Sequence, residues 1–311
     1  MKVLISGGTG LVGRYVVDGL IGAGHEVTLG GRSLPISPQG GRSLGANSAG
    51  ADQSSRSFIP LTLDPTLDQR EQFADIDTFI HLAFDHLPGR YRGGEGNDPA
   101  RFRRLNHEGS VKLFEEAKAA GVKRCIFLSS RAVYDGLPPG TVLTEDMPLS
   151  PDSLYGRIKR ESEQALGNLS SSTFITTSLR ATGVYGHHRP NKWDAMFEDF
   201  RNGKPVASRA GSEVHGDDLA AAMLLLMEQD ADTVNGKAFN LSDIVTDTHE
   251  ILSLYAQETG LSHPLPAPAD QTSVNVMDKT RLKTLGWQPG GRARLKQTMR
   301  ALAQTSGFFH R

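Results

Sequence analysis

Gly7-Gly8-Thr9-Gly10-Leu11-Val12-Gly13 is the stretch of sequence that decides the fold of this chain. The apolar run Lys2–Ser6 before it predicts a buried strand, and residues 11–23 after it place apolar side chains at helical spacing. Glycines at such a turn allow a sharp bend, close approach to a pyrophosphate and tight packing of helix on strand. The N–H groups at the helix start can then bind phosphate oxygens. The predicted dinucleotide contacts are Gly7, Thr9, Gly10, Leu11, Val12 and Gly13.

Short apolar runs alternate with helical patterns through the first 180 residues, which is typical of parallel strands joined by crossover helices. Further strands are predicted at 26–29, 58–63, 78–83, 123–129 and 174–180, and helices at 98–120 and 154–166. Beyond residue 180, helical patterns dominate, at about 192–202, 217–229, 247–259 and 293–304. The sequence therefore predicts an α/β protein, with a doubly wound parallel sheet and a smaller, mostly helical C-terminal part that binds substrate.

Composition narrows the class of protein. A net charge of -1 over 311 residues gives no general attraction to nucleic acid or to anionic membranes. No apolar run approaches the roughly 20 residues that a membrane-spanning helix needs. The single cysteine, Cys125, cannot form an intrachain disulfide, and His187-His188 has no further metal-ligand type at ligand spacing. We expect a cytoplasmic protein with a small-molecule substrate and with no nucleic-acid, membrane or metal partner.

The end of the second predicted strand bears on the choice of dinucleotide. NAD enzymes of this architecture commonly carry an acidic residue there, which binds the ribose 2′-hydroxyl. This chain instead reads Leu29-Gly30-Gly31-Arg32-Ser33. A guanidinium can bind a 2′-phosphate through two hydrogen bonds, and a serine hydroxyl can add another. NADP held by Arg32 and Ser33 is therefore favoured over NAD, and a solvated Arg32 is the alternative.

Tyr155 and Lys159 are candidates for proton transfer. They lie four residues apart in a predicted helix, so the phenol and the ammonium share one face. A free phenol has a pKa of about 10, and a nearby ammonium favours the phenolate. The phenolate can take a proton from a substrate hydroxyl as hydride leaves the same carbon. Ser130 follows the fifth predicted strand, at the sheet edge where ligands bind, and can hold the substrate oxygen. Ser130, Tyr155 and Lys159 are the predicted catalytic residues.

Several further motifs belong with these residues. They are Asp77-Thr-Phe-Ile-His-Leu-Ala83, Asn106-His-Glu-Gly-Ser110, Ser129-Ser-Arg-Ala-Val-Tyr134, Thr144-Glu-Asp-Met-Pro148, Arg180-Ala-Thr-Gly-Val-Tyr-Gly186, Val214-His-Gly-Asp-Asp-Leu-Ala220 and Leu285-Gly-Trp287. Together with the glycine turn and the Tyr155–Lys159 pair, they make nearly the whole chain resemble the extended short-chain dehydrogenase/reductases, the NAD-dependent epimerase/dehydratase family.

The resemblance implies further cofactor contacts and a domain division. Asp64 would contact the adenine, Leu82 and Ala83 would line the ribose and pyrophosphate path, and Asn106 would steady the cofactor side. Tyr155 and Lys159 would also touch the cofactor. A Rossmann-type domain would comprise residues 1–180 plus about 214–246, because a strand near 238–241 would join its sheet. The substrate-binding domain would comprise about 181–213 plus 247–311.

Two departures from the family bear on the reaction. Dehydratases of the family carry Thr-Asp-Glu where this chain has Ser130-Arg131-Ala132, so it lacks the carboxylates that dehydration needs. Many sugar-nucleotide epimerases carry an Asn at the position of Gly183, which counts against a UDP-sugar without excluding one. We expect an NAD(P)-dependent oxidoreductase or epimerase that transfers hydride at a hydroxyl or keto carbon of a sugar or sugar nucleotide. NADPH-dependent reduction is favoured.

Other possibilities stay open at this point. One alternative is an NAD-dependent nucleotide-sugar 4-epimerase. Another, from a different class, is a non-catalytic NADP-binding sensor or RNA-associated protein. A homodimer is possible. Two glycine-rich loops, at 33–57 and 85–97, leave strand ends that border the predicted site, and we expect ligands to order them.

Overall fold

Seven parallel strands form the central sheet of a computed structural model that describes residues 1–33, 56–87 and 93–306. The described residues form twelve strands in all, five of them outside this sheet. In chain order they are β1 (Lys2–Ser6), β2 (Glu26–Gly31), β3 (Arg56–Pro60), β4 (Thr78–His81), β5 (Arg124–Ser130), β6 (Val142–Leu143), β7 (Ile175–Ala181), β8 (Gly183–Tyr185), β9 (Ala210–His215), β10 (Lys237–Leu241), β11 (Ile244–Asp247) and β12 (Val276–Met277). The sheet order β10-β7-β5-β4-β1-β2-β3 confirms the predicted doubly wound sheet.

The described residues form ten α-helices, α1 (Leu11–Gly22), α2 (Pro99–Arg103), α3 (Gly109–Ala119), α4 (Leu154–Asn168), α5 (Asp194–Arg201), α6 (Gly216–Glu228), α7 (Ala231–Val234), α8 (Thr248–Thr259), α9 (Thr280–Thr284) and α10 (Gly291–Ser306). Helices α1 and α6 cover one face of the main sheet, and α3 covers the other. Strand side chains alternate between the two faces: Val3 and Ile5 pack with α1 and α6, whereas Leu4 packs with α3. Because both faces are buried, β1 carries the consecutive apolar residues Val3, Leu4 and Ile5 rather than an alternating pattern.

The helix predicted at 98–120 is divided in the structure. A π-helical turn, Arg104–Glu108, separates α2 from α3 and contains the buried Asn106. Asp98 begins the segment as predicted, because its side chain accepts a hydrogen bond from Arg101 N at 2.8 Å and proline follows it. Such a widened turn often marks a functional site.

The C-terminal half is less purely helical than the sequence indicated. Strands β8, β9 and β11 form a second sheet in the order β11-β9-β8, and β6 pairs with β12 in a two-stranded ribbon. A separate apolar cluster, which includes Tyr185, Phe197 and Tyr255, packs α5, α8 and α10 together. The late strand β10 pairs with β7, so a strand near 238–241 joins the main sheet, as the resemblance implied.

Candidate active site

A cleft of about 1650 Å³ opens at the carboxyl edge of the sheet. It lies where the strand order reverses between β1 and β4, which is the position where such sheets bind ligands. Its lining includes most of the sequence-predicted site: Gly7, Thr9, Gly10, Leu11, Val12, Gly13, Arg32, Asp64, Leu82, Ala83, Ser130, Tyr155 and Lys159. Ser33 and Asn106 do not line it.

The glycine turn is shaped to receive a phosphate. Gly7 has a φ of +75°, and a Cβ there would lie 2.7 Å from the backbone nitrogen of Ala83. Gly10 precedes α1 without offering a side-chain cap, and the first turn holds no acidic residue, so no described side chain competes for its N–H groups. This uncapped helix start beside a glycine cradle fits the pyrophosphate of a dinucleotide.

Helix α4, which carries Tyr155 and Lys159, is fixed at its start. Ser153 caps it by accepting a hydrogen bond from Gly156 N at 3.1 Å. A Cβ on Gly156 would overlap the carbonyl oxygen of Ala132, so the helix packs directly on the turn that follows Ser130. Ser130 ends β5, and its Oγ accepts a hydrogen bond from Ala132 N at 3.2 Å. The hydroxyl proton of Ser130 then remains to donate to a substrate oxygen.

Lys159 is almost fully buried at the base of the cleft, with 3% of its surface exposed. Its Nζ donates to the carbonyl of Leu128 at 2.7 Å and lies 4.7 and 4.6 Å from the ring centres of Phe84 and Phe127. Burial lowers the pKa of Lys159 to about 7, and the nearby Glu163 carboxylate opposes that shift. The ring centre of Tyr155 lies 5.9 Å from the same Nζ, so the predicted phenol–ammonium pair comes together.

Phe84 is a site residue that sequence reasoning missed. Its ring contacts Tyr155 edge-to-face at 5.1 Å and faces the Lys159 ammonium, and it lines the cleft. The signal available was its position, directly after the His81-Leu82-Ala83 motif. Phe84 limits the freedom of the Tyr155 and Lys159 side chains by contact with each.

A buried polar chain lies beneath the glycine turn. Ser6 Oγ hydrogen-bonds His81 Nδ1 at 2.6 Å, His81 Nε2 hydrogen-bonds Ser110 Oγ at 2.8 Å, and Ser110 donates to the carbonyl of Asn106 at 2.7 Å. Burial lowers the pKa of His81 to about 3, so this imidazole stays neutral. This row of hydrogen-bonded side chains joins β1, β4 and the π-helical turn below the glycine turn.

Asn106 acts on the cleft from behind rather than from its surface. Its side chain accepts a hydrogen bond from Asp85 N at 2.6 Å and donates to the carbonyls of Asp85 and Phe102 at 2.8 and 2.9 Å. It therefore anchors the segment after β4 that carries Phe84 and Asp85. Asn106 does not line the cleft, and the cofactor contact that the resemblance implied for it stays a prediction.

Arg32 lines the cofactor end of the cleft with 78% of its side chain exposed. Its guanidinium lies 3.3 Å from the Asp85 carboxylate, which Arg101 also binds at 2.8 Å. Asp64 lies 3.3 Å from Arg104, and hydrogen bonds from Thr66 hold the pKa of the Asp64 carboxyl below its usual range. Arg32, which the sequence predicts to bind a 2′-phosphate, is therefore paired with Asp85 at the rim of the cleft.

The opposite end of the cleft carries charges that the sequence did not single out. Lys192 and Glu213 form an ion pair there beside Gly183, and Arg131 binds Asp135 at 3.0 Å. Arg131 lies in the Ser129–Tyr134 motif, but neither Lys192 nor Glu213 stands in a recognisable motif, and the strand pairing that joins Gly183 to Glu213 is a tertiary contact. No pattern in the sequence alone would have found the Lys192–Glu213 pair.

Parts of two predicted loops lie outside the described residues. These are residues 34–55 of the loop at 33–57, and residues 88–92 of the loop at 85–97. Among the described residues, no helix is long and apolar enough to cross a membrane. Over the same ranges, no three His, Cys, Asp or Glu side chains are placed to hold a metal ion. His187 and His188 pack around Tyr15, with ring centres 5.4 and 4.2 Å away.

Comparison with known proteins bears directly on the family. The model of the NAD dependent epimerase/dehydratase family matches residues 3–242. UDP-glucose 4-epimerase of Lactobacillus helveticus is 27% identical, over 93% of this chain and 92% of the relative. Among solved structures, MoeE5 in complex with UDP-glucose and NAD has a TM-score of 0.77 at 24% identity, covering 98% of this chain and 100% of that one. UDP-glucuronic acid 4-epimerase from Bacillus cereus in complex with NAD has a TM-score of 0.78 at 20% identity, with 100% of both chains covered.

Proposed function

The chain belongs to the NAD dependent epimerase/dehydratase family, and we propose that it is a nucleotide-sugar 4-epimerase that uses NAD. It is an enzyme of the extended short-chain dehydrogenase/reductase type, as the sequence motifs indicated. The observation that carries the proposal is the convergence of Ser130, Tyr155 and Lys159 on one cleft with the glycine turn. The UDP-glucose 4-epimerase relative, which matches over most of both chains, supports the choice of reaction.

The residues of the cleft account for a reversible oxidation. Ser130 donates a hydrogen bond to the sugar oxygen, and the Tyr155 phenolate takes the hydroxyl proton from that oxygen. The Lys159 ammonium stabilises the phenolate, and Phe84 holds both side chains in place. The bound dinucleotide supplies the acceptor and later the donor of the hydride. Tyr155 returns the proton once the keto sugar has turned its other face, so the sugar leaves with its configuration at that carbon inverted.

This proposal is the alternative that the sequence left open, rather than the NADPH-dependent reduction that it favoured. An epimerase consumes no external reductant, because the same hydride is returned to the substrate. The relatives named above are epimerases or hold NAD, which supports this reading. The cleft also lacks the carboxylates that the sequence comparison associated with dehydration at positions 131 and 132, which are Arg131 and Ala132.

The test is interconversion of UDP-glucose and UDP-galactose by the purified chain, followed by chromatography. We expect turnover with NAD and no added reductant. Tyr155→Phe should lower kcat by a factor on the order of 100 to 10,000, because the group that accepts and returns the proton is lost. NAD affinity should change only a few-fold, because the substitution removes little of the binding surface. Tyr255→Phe, remote from the cleft, is the matched control. Full activity of Tyr155→Phe would refute the assigned mechanism.

NADPH-dependent reduction of a keto sugar is the second candidate. Gly30 and Gly31 offer no carboxylate to a ribose 2′-hydroxyl, and Arg32 lines the cleft beside them. Against this, the Asp85 carboxylate that pairs with Arg32 would lie near a bound 2′-phosphate. Calorimetric titration of NAD and NADP distinguishes the two candidates. The proposed epimerase should bind NAD at least as tightly, and a tenfold preference for NADP would favour the reductase.

A further inference from the structure

An ion pair stands in the wall of the cleft opposite the glycine turn. The Lys192 ammonium contacts the Glu213 carboxylate, with 28% and 13% of their side chains exposed, and both residues line the cleft. Lys192 follows β8, and Glu213 lies in β9, which pairs with β8 in parallel. The proposed proton transfer uses neither residue.

The pair lines the same cleft as Ser130. Ser130 of β5 stands opposite Ala181 of β7, and Gly183, two residues further along, stands opposite Glu213. Neighbouring strands are about 4.8 Å apart and a strand rises about 3.3 Å per residue, so the Glu213 backbone lies within roughly 16 Å of Ser130. Because Ser130, Lys192 and Glu213 line the same cleft, a nucleotide sugar held at Ser130 can extend to this wall.

The wall has its shape because residue 183 is a glycine. A Cβ at Gly183 would lie 2.6 Å from Glu213 Oε2 and 2.9 Å from Lys192 Nζ, so the ion pair occupies the space that a side chain would take. The two charged ends thus form the surface that a substrate meets at this point. They present an acceptor and a donor of hydrogen bonds side by side.

The local charges are mostly matched. Lys192 is neutralised by Glu213, and Arg131 is neutralised by Asp135 at 3.0 Å. Arg209 is exposed at the rim and forms no ion pair with a described residue, so its guanidinium is available to the phosphates of a nucleotide sugar. Deeper in the cleft, a carboxylate on the sugar would face the Glu213 carboxylate. The Lys192 ammonium, which is paired with Glu213, would not compensate its charge.

We propose that the Lys192–Glu213 pair is a specificity element that selects a nucleotide sugar with a neutral sugar and rejects the corresponding uronic acid. This inference rests on the proposed function and narrows its substrate class. Sugar hydroxyls can donate to the carboxylate and accept from the ammonium, so a neutral ring satisfies both ends of the pair. The carboxylate of a uronic acid would face the Glu213 carboxylate, and this repulsion between like charges would disfavour binding of the uronic acid.

The test compares kcat/KM for UDP-glucose and UDP-glucuronic acid. The wild type should prefer UDP-glucose by at least about thirtyfold, which corresponds to about 2 kcal/mol. Glu213→Gln removes the negative charge and releases the Lys192 ammonium, so the ratio should shift toward the uronic acid by at least about tenfold. Asp199→Asn is the matched control, because it removes the carboxylate charge from the Lys204–Asp199 ion pair, which does not line the cleft. It should leave the ratio unchanged.

Binding of both sugar nucleotides to Tyr155→Phe, measured by calorimetry, separates this inference from the proposed function. A preference for UDP-glucose without epimerisation by the wild type would refute the function and leave the specificity element standing. Equal affinity for the two ligands, or no binding of either, would overturn the specificity element. An equal loss for both substrates in Glu213→Gln would also overturn it, since the pair would then only support the wall.

Discussion

The ammonium group of Lys159 lies between two phenyl rings at the base of the cleft, where only a small fraction of it meets solvent. Burial disfavours its charge, whereas the Leu128 carbonyl, the ring faces and the Glu163 carboxylate favour it. The Glu163 carboxylate is paired mainly with Arg180, which donates three hydrogen bonds to it at 2.7 to 3.1 Å. Lys159 is therefore only partly compensated, which explains the direction of its pKa shift.

Lys159→Met should change both activity and the pH dependence of stability. The folded pKa of Lys159 is about 7, below its unfolded value of 10.5, so between these pH values the unfolded chain binds the extra proton. This residue therefore makes the wild type gain stability as pH rises from about 7 to 10.5, and the variant lacks that gain. We expect a fall in kcat of about 100-fold or more.

Melting temperatures measured from pH 6 to pH 10 check this prediction. The variant should melt highest relative to the wild type at pH 6, and the difference should shrink toward pH 10. Lys204→Met, which removes an exposed lysine, is the control and should follow the wild type. Parallel pH profiles for wild type and Lys159→Met would contradict the buried-charge account.

Most of the cofactor end of the site could be predicted from local sequence. The glycine turn, Tyr155 and Lys159 recur in recognisable patterns because their geometry is set within one turn or one helix. Asn106 and Lys192 could not be placed in the same way. Asn106 reaches Asp85 through a widened helical turn, and Lys192 meets Glu213 only because β8 pairs with β9.

At the scale of elements, α3 and the segment after β3 are in direct backbone contact. A Cβ on Gly109, at the start of α3, would overlap the carbonyl oxygen of Leu63. The next residue, Asp64, lines the cofactor end of the cleft. The approach of this helix therefore sets the position of one wall of the site.

Gly109→Ala should destabilise the enzyme by about 1 to 3 kcal/mol, because a backbone carbonyl cannot move aside as a side-chain end can. It should also weaken NAD binding by displacing Leu63 and Asp64. Gly22→Ala is the matched substitution in α1, where a Cβ meets no atom within 4 Å, and it should stabilise by about 0.5 to 1 kcal/mol. Urea denaturation of the three proteins provides the comparison. A stable Gly109→Ala enzyme with unchanged NAD affinity would refute this contact.

The long strands and helices were predicted because their apolar patterns are long enough to have a period. Three strands are too short to have one: β6 and β12 have two residues each and β8 has three. The second sheet also contains β9, whose six residues Ala-Gly-Ser-Glu-Val-His are mostly polar or small and show no strand-like apolar pattern. The second sheet was therefore not inferred, and the C-terminal part was expected to be more helical than it is.

For the whole molecule, the chain passes between the main sheet and the C-terminal elements several times. After β7 it enters the second sheet, returns through α6 and β10, and then leaves again for β11. Arg294 of α10 binds Asp217 of α6 at 2.8 Å, and Trp287 donates to the carbonyl of Asp218 at 2.8 Å. The division into a cofactor domain and a substrate domain stays a prediction, but neither part is a continuous segment of chain.

We therefore expect the enzyme to unfold in one cooperative transition. The two tryptophans report on different regions, since Trp287 packs in the sheet-side core and Trp193 in the C-terminal cluster. Trp193→Phe and Trp287→Phe each leave one reporter. In urea, the fluorescence midpoint of each variant should coincide with its own far-UV circular dichroism midpoint. Separate midpoints would show that the two regions unfold independently.

The π-helical turn at Arg104–Glu108 has a consequence for chain length. A π turn accommodates one residue more than an α turn, so the extra residue is absorbed locally. Deleting one residue there would let an ordinary α turn replace the π turn, so α3 would keep its orientation relative to α2. The contacts of Ser110 with His81 and of Gly109 with Leu63 would then be retained. Deleting one residue within α3 itself would instead rotate the rest of the helix by about 100°. A single deletion should therefore be tolerated better within 104–108 than within α3.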